Sequence, residues 1–255
     1  MIAKKGILEI FENHMSYRDL FSISLLHRIN KRRKEESLKI EADSIQDIKI
    51  HVRNKNLFIV VHGEEVYVKL ITLPKVSKEK LYFIIKQELR VRFENLDSIM
   101  FTYEILKDNG NSLDIIVFCL NWNGVNLVEK CIETGGEVKG IYPVQFCILN
   151  SYRNQIKSEN YVLVFSLEGN VYLVGYYKDR IVGNTVLKNF NLEGLKEELD
   201  IFIVKCNILS KAKEIPAIFF LNFFNKELIE SLSKDHICED LGELDKEYSI
   251  NQILK

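Results

Sequence analysis

Chain breakers are scarce in this sequence: three prolines and twelve glycines in 255 residues leave no room for long irregular linkers. Cysteine pattern is lacking too. Five cysteines occur, Cys119, Cys131, Cys147, Cys206 and Cys238, and no two stand at C-x-x-C spacing, so neither a zinc knuckle nor a thioredoxin-type pair is suggested. The odd count does not suit a full disulfide framework. Four of the five lie in apolar periodic segments, where a free thiol behaves as a small hydrophobe. A reducing compartment, the cytoplasm, is the expectation.

Charge of one sign is also missing. The formal net charge is −1, which removes the basic field expected of a nucleic-acid binder. Long apolar runs are absent as well. The longest are Phe58–Val61, Ile115–Leu120, Tyr161–Leu167 and Ile218–Phe224, strand-sized and far below the ~18 residues that span a bilayer. The first residues, MIAKKGILEIFENH, make a poor signal peptide because acidic residues follow a short apolar run. A soluble chain with no membrane span is expected, held at a membrane only through another component.

What is present is globular: 47% of residues are hydrophobic and 28% charged, enough for one large domain or two modest ones. Strands are expected at Gly6–Phe11 and Tyr17–Leu26 around an Asn13-His14 turn, and a short helix at Ser44–Arg53 with Ile45, Ile48 and Val52 on one face. Strands Leu57–His62 and Val66–Leu73 flank Gly63-Glu64-Glu65, a hairpin signal. Pro74 ends the second strand and Ser77 caps a helix with Leu81, Ile84, Ile85 and Leu89 at helical spacing. Strands Ile99–Leu106 and Leu113–Leu120 flank the turn Asp108-Asn109-Gly110. A helix over Val125–Thr134 should bury Val128, Cys131 and Ile132 and stop at Gly135-Gly136. Trp122 reads as an anchor beside it. A strand Val138–Tyr142 precedes Pro143, which suits the first turn of another helix.

The last hundred residues are the most regular. Strands Tyr161–Leu167, Val171–Tyr177 and Ile181–Leu187 come in succession. A helix follows with Leu192, Leu195, Leu199, Phe202, Ile203 and Cys206 on one stripe, then strand Ile215–Leu221, helix Lys226–Ser233 and a strand near Ile237–Leu241. A three-strand meander followed by helix, strand and helix resembles one half of an actin-like ATPase domain. The fold class expected is therefore α/β, an actin-like (ribonuclease H-like) two-half fold with an inserted β-β-α-β-β-α subdomain. Residues 1–64 and 136–158 would form the first half, 65–135 the insert and 159–255 the second half.

The stretch VYVKLITLPKVSKEKLYFIIKQELRVRFENLDSIMFTYEIL resembles the PilM family, the cytoplasmic actin-like proteins of type IV pilus machines. Leu73-Pro74, Ser77, Glu88, Phe93 and Tyr103 stand where that pattern wants them. The resemblance covers roughly residues 57–240, and the related GspL and FtsA families share parts of the layout. It implies a scaffold: ATP bound between two halves, a grip on the cytoplasmic N-terminal tail of a PilN-like membrane protein, and a link to the pilus assembly ATPase at the inner face of the membrane. The partner groove would border the insert, near Leu73, Pro74, Leu89 and Phe93.

The family's nucleotide motifs are degraded in this sequence. A phosphate-binding hairpin needs a small residue so that backbone N–H groups reach the phosphates, and an aspartate to order magnesium. In the first hairpin Glu9 replaces the aspartate and Phe11-Glu12-Asn13 replaces the glycine-rich loop. In the second, Ser166-Leu167-Glu168 precedes Gly169-Asn170, with serine at the aspartate position. A purine pocket wants Gly-Gly after the strand ending at Leu221, where Asn222-Phe223-Phe224-Asn225 stands. The expectation is a non-enzymatic scaffold with no cofactor and no metal. If ATP and magnesium do bind, Glu9, Glu168 and Gly169 are the residues concerned. The alternatives are an active ATPase of the same machine or a sugar-kinase-like enzyme.

Two further features read as ordinary. The cluster Arg28, Lys31, Arg32, Arg33, Lys34 is damped by Glu35 and Glu36 and suits a solvated loop better than a lipid contact. Asp235-His236-Ile237-Cys238 carries catalytic residue types without a nucleophile elbow, and a helix-to-strand connection accounts for it.

Overall fold

The computed structural model describes residues 4–20, 39–93, 96, 99–122, 124–190, 192–210 and 214–254. The Arg28–Lys34 cluster, the expected strand beyond Leu20, Asn123 and the side chain of Leu192 lie outside the described residues. The chain divides into two compact units. One comprises Met1–Gly63, Asn123–Ile148 and Ile253–Lys255; the other comprises Glu64–Trp122 and Leu149–Gln252.

The first unit is built on a five-stranded sheet. Its strands are β1 (Lys4–Ile10), β2 (Met15–Leu20), β3 (Lys39–Ala42), β4 (Lys55–Val61) and, after the second unit's first segment, β8 (Glu137–Pro143), in the order β3-β2-β1-β4-β8. β1 meets β2 antiparallel (Ile10 opposite Met15) and β4 parallel (Ile7 opposite Phe58), and β4 in turn runs parallel to β8. Leu57 through Val61 are all buried. A central parallel strand is covered on both faces, so its sequence is a continuous apolar run instead of an alternation. Helix α1 (Ile45–Val52) is capped by Ser44 and Asp47 in a reciprocal box, and it buries Ile45, Ile48 and Val52 as its spacing predicts. Helix α3 (Val125–Glu133) packs against α1 and β8.

Three expectations fail here. The turn at Gly63-Glu64-Glu65 closes no hairpin, because β4 already has β1 and β8 along its two edges and the next strand pairs elsewhere. The β-β-α-β-β-α pattern of residues 57–135 contributes only strand-helix-strand-strand to one sheet and its covering helix. The strand Leu57–His62 and the helix over Val125–Thr134 belong to the first unit. Of the three residues expected inside α3, Cys131 is buried, Val128 is half-buried and Ile132 is exposed. Strand β3 was not anticipated.

The second unit carries two sheets. β5 (Val66–Pro74), β6 (Ile99–Asp108) and β7 (Ser112–Asn121) form an antiparallel sheet in the order β5-β7-β6. Helix α2 (Lys78–Arg90) covers one face, its N-terminus capped by Ser77 accepting from the Lys80 N–H. Leu81, Ile85 and Leu89 interlock there with Ile71, Leu73, Leu113, Ile115 and Val117. Trp122 is buried at the end of the layer.

The larger sheet contains β9 (Asn160–Leu167), β10 (Asn170–Tyr177), β11 (Arg180–Leu187), β12 (Ala217–Leu221) and β13 (Cys238–Asp240), ordered β11-β10-β9-β12-β13. β9 to β11 form the expected meander, and β12 runs parallel to β9 and β13. Helices α5 (Leu192–Ser210) and α6 (Lys226–Leu232) contribute Leu195, Leu199, Phe202, Ile203, Cys206 and Leu232 to a core shared with Val162, Val164, Val171, Leu173, Ile218 and Phe220. Helix α4 (Val144–Tyr152) forms where expected, but Pro143 ends β8 and does not stand in the helix's first turn. The short helix α7 (Lys246–Asn251) was not expected, because six residues are too few to show a period.

Cys206 fixes one close approach. Gly175 and Gly183 lie opposite each other across β10 and β11, and the Cys206 thiol rests on both. A methyl at position 175 would overlap that sulfur. Gly175→Ala is expected to lower stability by about 1–3 kcal/mol, as overpacking of a filled core does. Cys206→Ala in the same chain should cost less than the two changes summed, because it removes the clashing atom. Urea unfolding midpoints check both.

Four of the five thiols are buried, and Cys238 is half-buried. Burial pushes Cys147 and Cys206 up to about 12 and Cys119 and Cys131 up to about 11. A raised folded-state pKa of an acid means stability that is complete below the unfolded thiol value near 9 and is lost as pH rises toward 11 to 12. Thiol titration of the native chain at pH 8 should therefore label half-buried Cys238 first and the other four only after denaturation.

Candidate functional site

The first candidate hairpin lies in the first unit. The Phe11 N–H donates to the His14 carbonyl at 3.0 Å and closes the turn from β1 to β2. The Phe11 ring is stacked on His14 at 4.3 Å and on His62 at 4.1 Å. Where a glycine loop would leave space, three rings fill it. Glu9 is only 3% exposed, with one carboxylate oxygen 3.0 Å from His62 Nε2 and the other 3.9 Å from Arg18 Nε. A carboxylate in a doubly covered strand is tolerated only when its charge is met, and His62 and Arg18 meet it. The backbone N–H of His62 also donates to the Ile10 carbonyl at 2.9 Å, extending the β1–β4 pairing.

The second candidate hairpin lies in the second unit, between β9 and β10. Leu167 pairs with Asn170, so the loop is the two residues Glu168 and Gly169, with φ of 52° and 75°. Two positive φ values in a two-residue loop define a type I′ turn, whose twist matches that of the strands. A Cβ on Gly169 would meet nothing within 4 Å, so the glycine answers the turn and the space beside it is open. The Glu168 carboxylate accepts from Lys246 Nζ at 3.1 Å. Lys246 is positioned by α7, whose cap Asp245 accepts from the Tyr248 N–H at 2.9 Å and whose approach is tied to the Tyr152 hydroxyl by the Asp245 N–H at 3.2 Å. The Ser166 carbonyl accepts from Asn222 Nδ2 at 2.8 Å.

The loop after β12 belongs to the same unit. Asn222 has φ of 53° and its N–H donates to the Gly242 carbonyl at 2.7 Å. Phe223 turns inward against Phe220 with ring centroids 5.4 Å apart, while Phe224 is 78% exposed. Asn225 caps α6, accepting from the Leu228 N–H at 2.8 Å. Each polar side chain of this loop is engaged in holding the fold.

The four residues expected at a partner groove divide by burial. Leu73 and Leu89 lie inside the core between α2 and its sheet, at 7% and 1% exposure, so they shape the layer and offer no contact surface of their own. Pro74 is exposed at the end of β5, and half-buried Phe93 meets Tyr67 edge-on at 5.6 Å. The apolar surface of this layer that the spacing argument missed is Tyr82 and Phe83 on α2 and Val91 at its C-cap, with Phe101 of β6 stacked on Tyr82 at 4.8 Å. His62, Arg18 and Lys246 were missed as well. They lie 53, 9 and 78 residues from the carboxylates they meet, and no local pattern links them.

The fold is that of the actin-like ATPases. Among solved structures it is similar to a chain of a PilM-PilN type IV pilus biogenesis complex, at 12% identity over 96% of this chain and 89% of that one, with a TM-score of 0.62. It is also similar to the cytoplasmic domain of EpsL, an inner-membrane component of the type II secretion system of Vibrio cholerae (9% identity, 98% and 93% covered, TM-score 0.57). A third is a Bacteroides thetaiotaomicron protein of actin-like ATPase fold and unknown function (8%, 98% and 96%, 0.56). No protein-family profile and no curated relative matches the sequence. No described helix is long and apolar enough to cross a membrane.

Replacing Glu9 tests the account of the first hairpin. Glu9→Ala leaves buried Arg18 without its counter-charge and should cost about 3–5 kcal/mol in urea unfolding, with Glu9→Gln costing less because it keeps a hydrogen-bonding group. By contrast Lys246→Ala removes an exposed pair and should cost under about 1 kcal/mol.

Proposed function

We propose that this chain is a scaffold of a type IV pilus or related secretion platform, at the inner face of the membrane. It captures the cytoplasmic N-terminal tail of a PilN-like membrane protein and links it to the assembly motor, and it does so without ATP. The platform part is supported by the likeness to the PilM-PilN and EpsL structures over nearly the whole chain. The observation that carries the nucleotide-independent part is the engagement of the candidate nucleotide side chains in the fold itself. Glu9 is held by His62 and Arg18, Glu168 by Lys246, and Asn225 by the cap of α6. Capture of a disordered tail fits an exposed apolar layer such as Tyr82, Phe83, Phe93 and Phe101, with Pro74 at its border.

A second reading, an active ATPase of the same fold, has the open space beside Gly169 in its favour. One calorimetric experiment separates the two. The tail peptide of the PilN-like protein from the same organism is titrated into the full chain in EDTA, then with Mg-ATP. Equal saturable binding in both is expected, with no heat from Mg-ATP alone. Binding that needs Mg-ATP would overturn the nucleotide-independent mechanism, and no binding in either would overturn the partner.

A further inference from the structure

We propose that the open edge of β5 is a second docking site, which takes an extended acidic peptide as an added strand. β5 and β11 are both edge strands of their sheets, and both lie in the second unit. They run in opposite directions side by side: Glu65 bonds Thr185 and the Val186 backbone, and Val66 meets Asn184. Asn184 is buried, and its side-chain amide takes both main-chain groups of Val66. Oδ1 accepts the N–H at 3.0 Å, and Nδ2 donates to the carbonyl. An amide side chain here stands in for a neighbouring strand, at one residue only.

Past that pin no ladder joins β5 to β11 among the described residues, and a cavity of about 440 Å³ opens there, over the face of the β5-β7-β6 sheet and bounded by β11. Val68, Leu70 and Thr72 stand on one side, Tyr177, Lys178, Arg180 and Val182 on the other. Because the Val66 N–H points away from β7, the same is true two, four and six residues on. Val68, Leu70 and Thr72 each direct an N–H and a C=O to the outer edge of β5, beside the cavity that they line. Pro74 agrees with this register. It is paired with Ser112 in the ladder, and a residue with no N–H fits there only if that position faces the outer edge. Val68 to Thr72 makes up about 17 Å of strand, room for a peptide of about five residues.

Charge selects the occupant. The floor is apolar, formed by Val68, Leu70, Leu106, Ile116, Val182 and Leu209. The rim carries Lys107, Lys178 and Arg180, none in an ion pair among the described residues, against the single carboxylate of Asp114, which already accepts from the Thr72 hydroxyl at 2.7 Å. In a chain of net charge −1 this is a local positive excess over an apolar strand edge. Added strands bind through main-chain bonds, while alternate side chains set the preference, here apolar inward and acidic toward the rim.

The test uses the full chain and a fluorescein-labelled, end-capped decapeptide of alternating Glu and Val, with the Lys-Val peptide as control. Anisotropy should show saturable binding of the Glu-Val peptide alone, weakened at least about tenfold in Lys178→Glu/Arg180→Glu. Hydrogen exchange should slow at Val68–Thr72 on binding. Leu70→Pro removes an outward N–H without touching the β7 ladder, so it should weaken binding while the unfolding midpoint of the chain changes little. Equal binding of the Lys-Val peptide, an unchanged affinity in the charge-reversed variant, protection elsewhere than β5, or no saturable binding would each overturn the proposal. None of these outcomes bears on the PilN-like tail, which is placed on the α2 layer.

Discussion

Each five-stranded sheet depends on one parallel pairing at its centre: β1 beside β4 in the first unit, β9 beside β12 in the second. A parallel strand in that position is covered on both faces, so the side chains along its middle are committed to a core. This accounts for the uninterrupted Leu57–Val61 and Val162–Phe165 runs, all buried. It also decides where chemistry can sit. Polar groups are admitted only at the strand ends, where the chain leaves the sheet, and one that falls inside must carry its own counter-charge. Glu9 is such a residue, and the His62 ring and the Arg18 guanidinium are the terms on which the sheet accepts it.

The same constraint shapes the two candidate hairpins. A type I′ turn needs positive φ at both positions whatever it binds, so Gly169 survives as geometry. Glu168 accepts from Lys246, and Glu9 lies between a histidine and an arginine. In the loop after β12, Phe223 fills the core and Asn225 caps a helix.

Much of the fold was legible because its signals are local. The Ser77 cap, the Asp108-Asn109-Gly110 turn and the β9–β11 meander are each written within a few residues, and each forms as expected. The stripe Leu195, Leu199, Phe202, Ile203 and Cys206 is likewise a helix face by spacing alone. The failures are of one kind. Gly63-Glu64-Glu65 has hairpin composition, but the partners of β4 come from 51 residues upstream and 81 or 82 downstream, and a turn signal carries no information about them. Ile132 sits at a helical spacing that points inward only if something packs there, and α3 has its neighbours on the Cys131 side. The candidate carboxylates were visible as residue types. Their state was not, because charge compensation is set by tertiary pairing across 53 or 78 residues.

Asn184 shows how such a pairing can leave a mark in the sequence after all. Asparagine is poorly suited to a strand interior, since its side chain competes for main-chain bonds. In Ile-Val-Gly-Asn-Thr-Val it interrupts a run of β-formers. It is kept where that competition is useful: by occupying both groups of Val66 it joins two sheet edges at a point and prevents them from zipping into one sheet. An edge held near another edge without merging is normally an aggregation liability, blunted by proline or charge. Pro74 blunts the far end of β5, and Lys178 and Arg180 guard the opposite wall. Between those guards the edge is left with its main chain unpaired over an apolar floor. Full protection would have required a charge or a second proline at Val68 or Leu70. The sequence places apolar residues there, which leaves an edge protected against like strands and open to an acidic one.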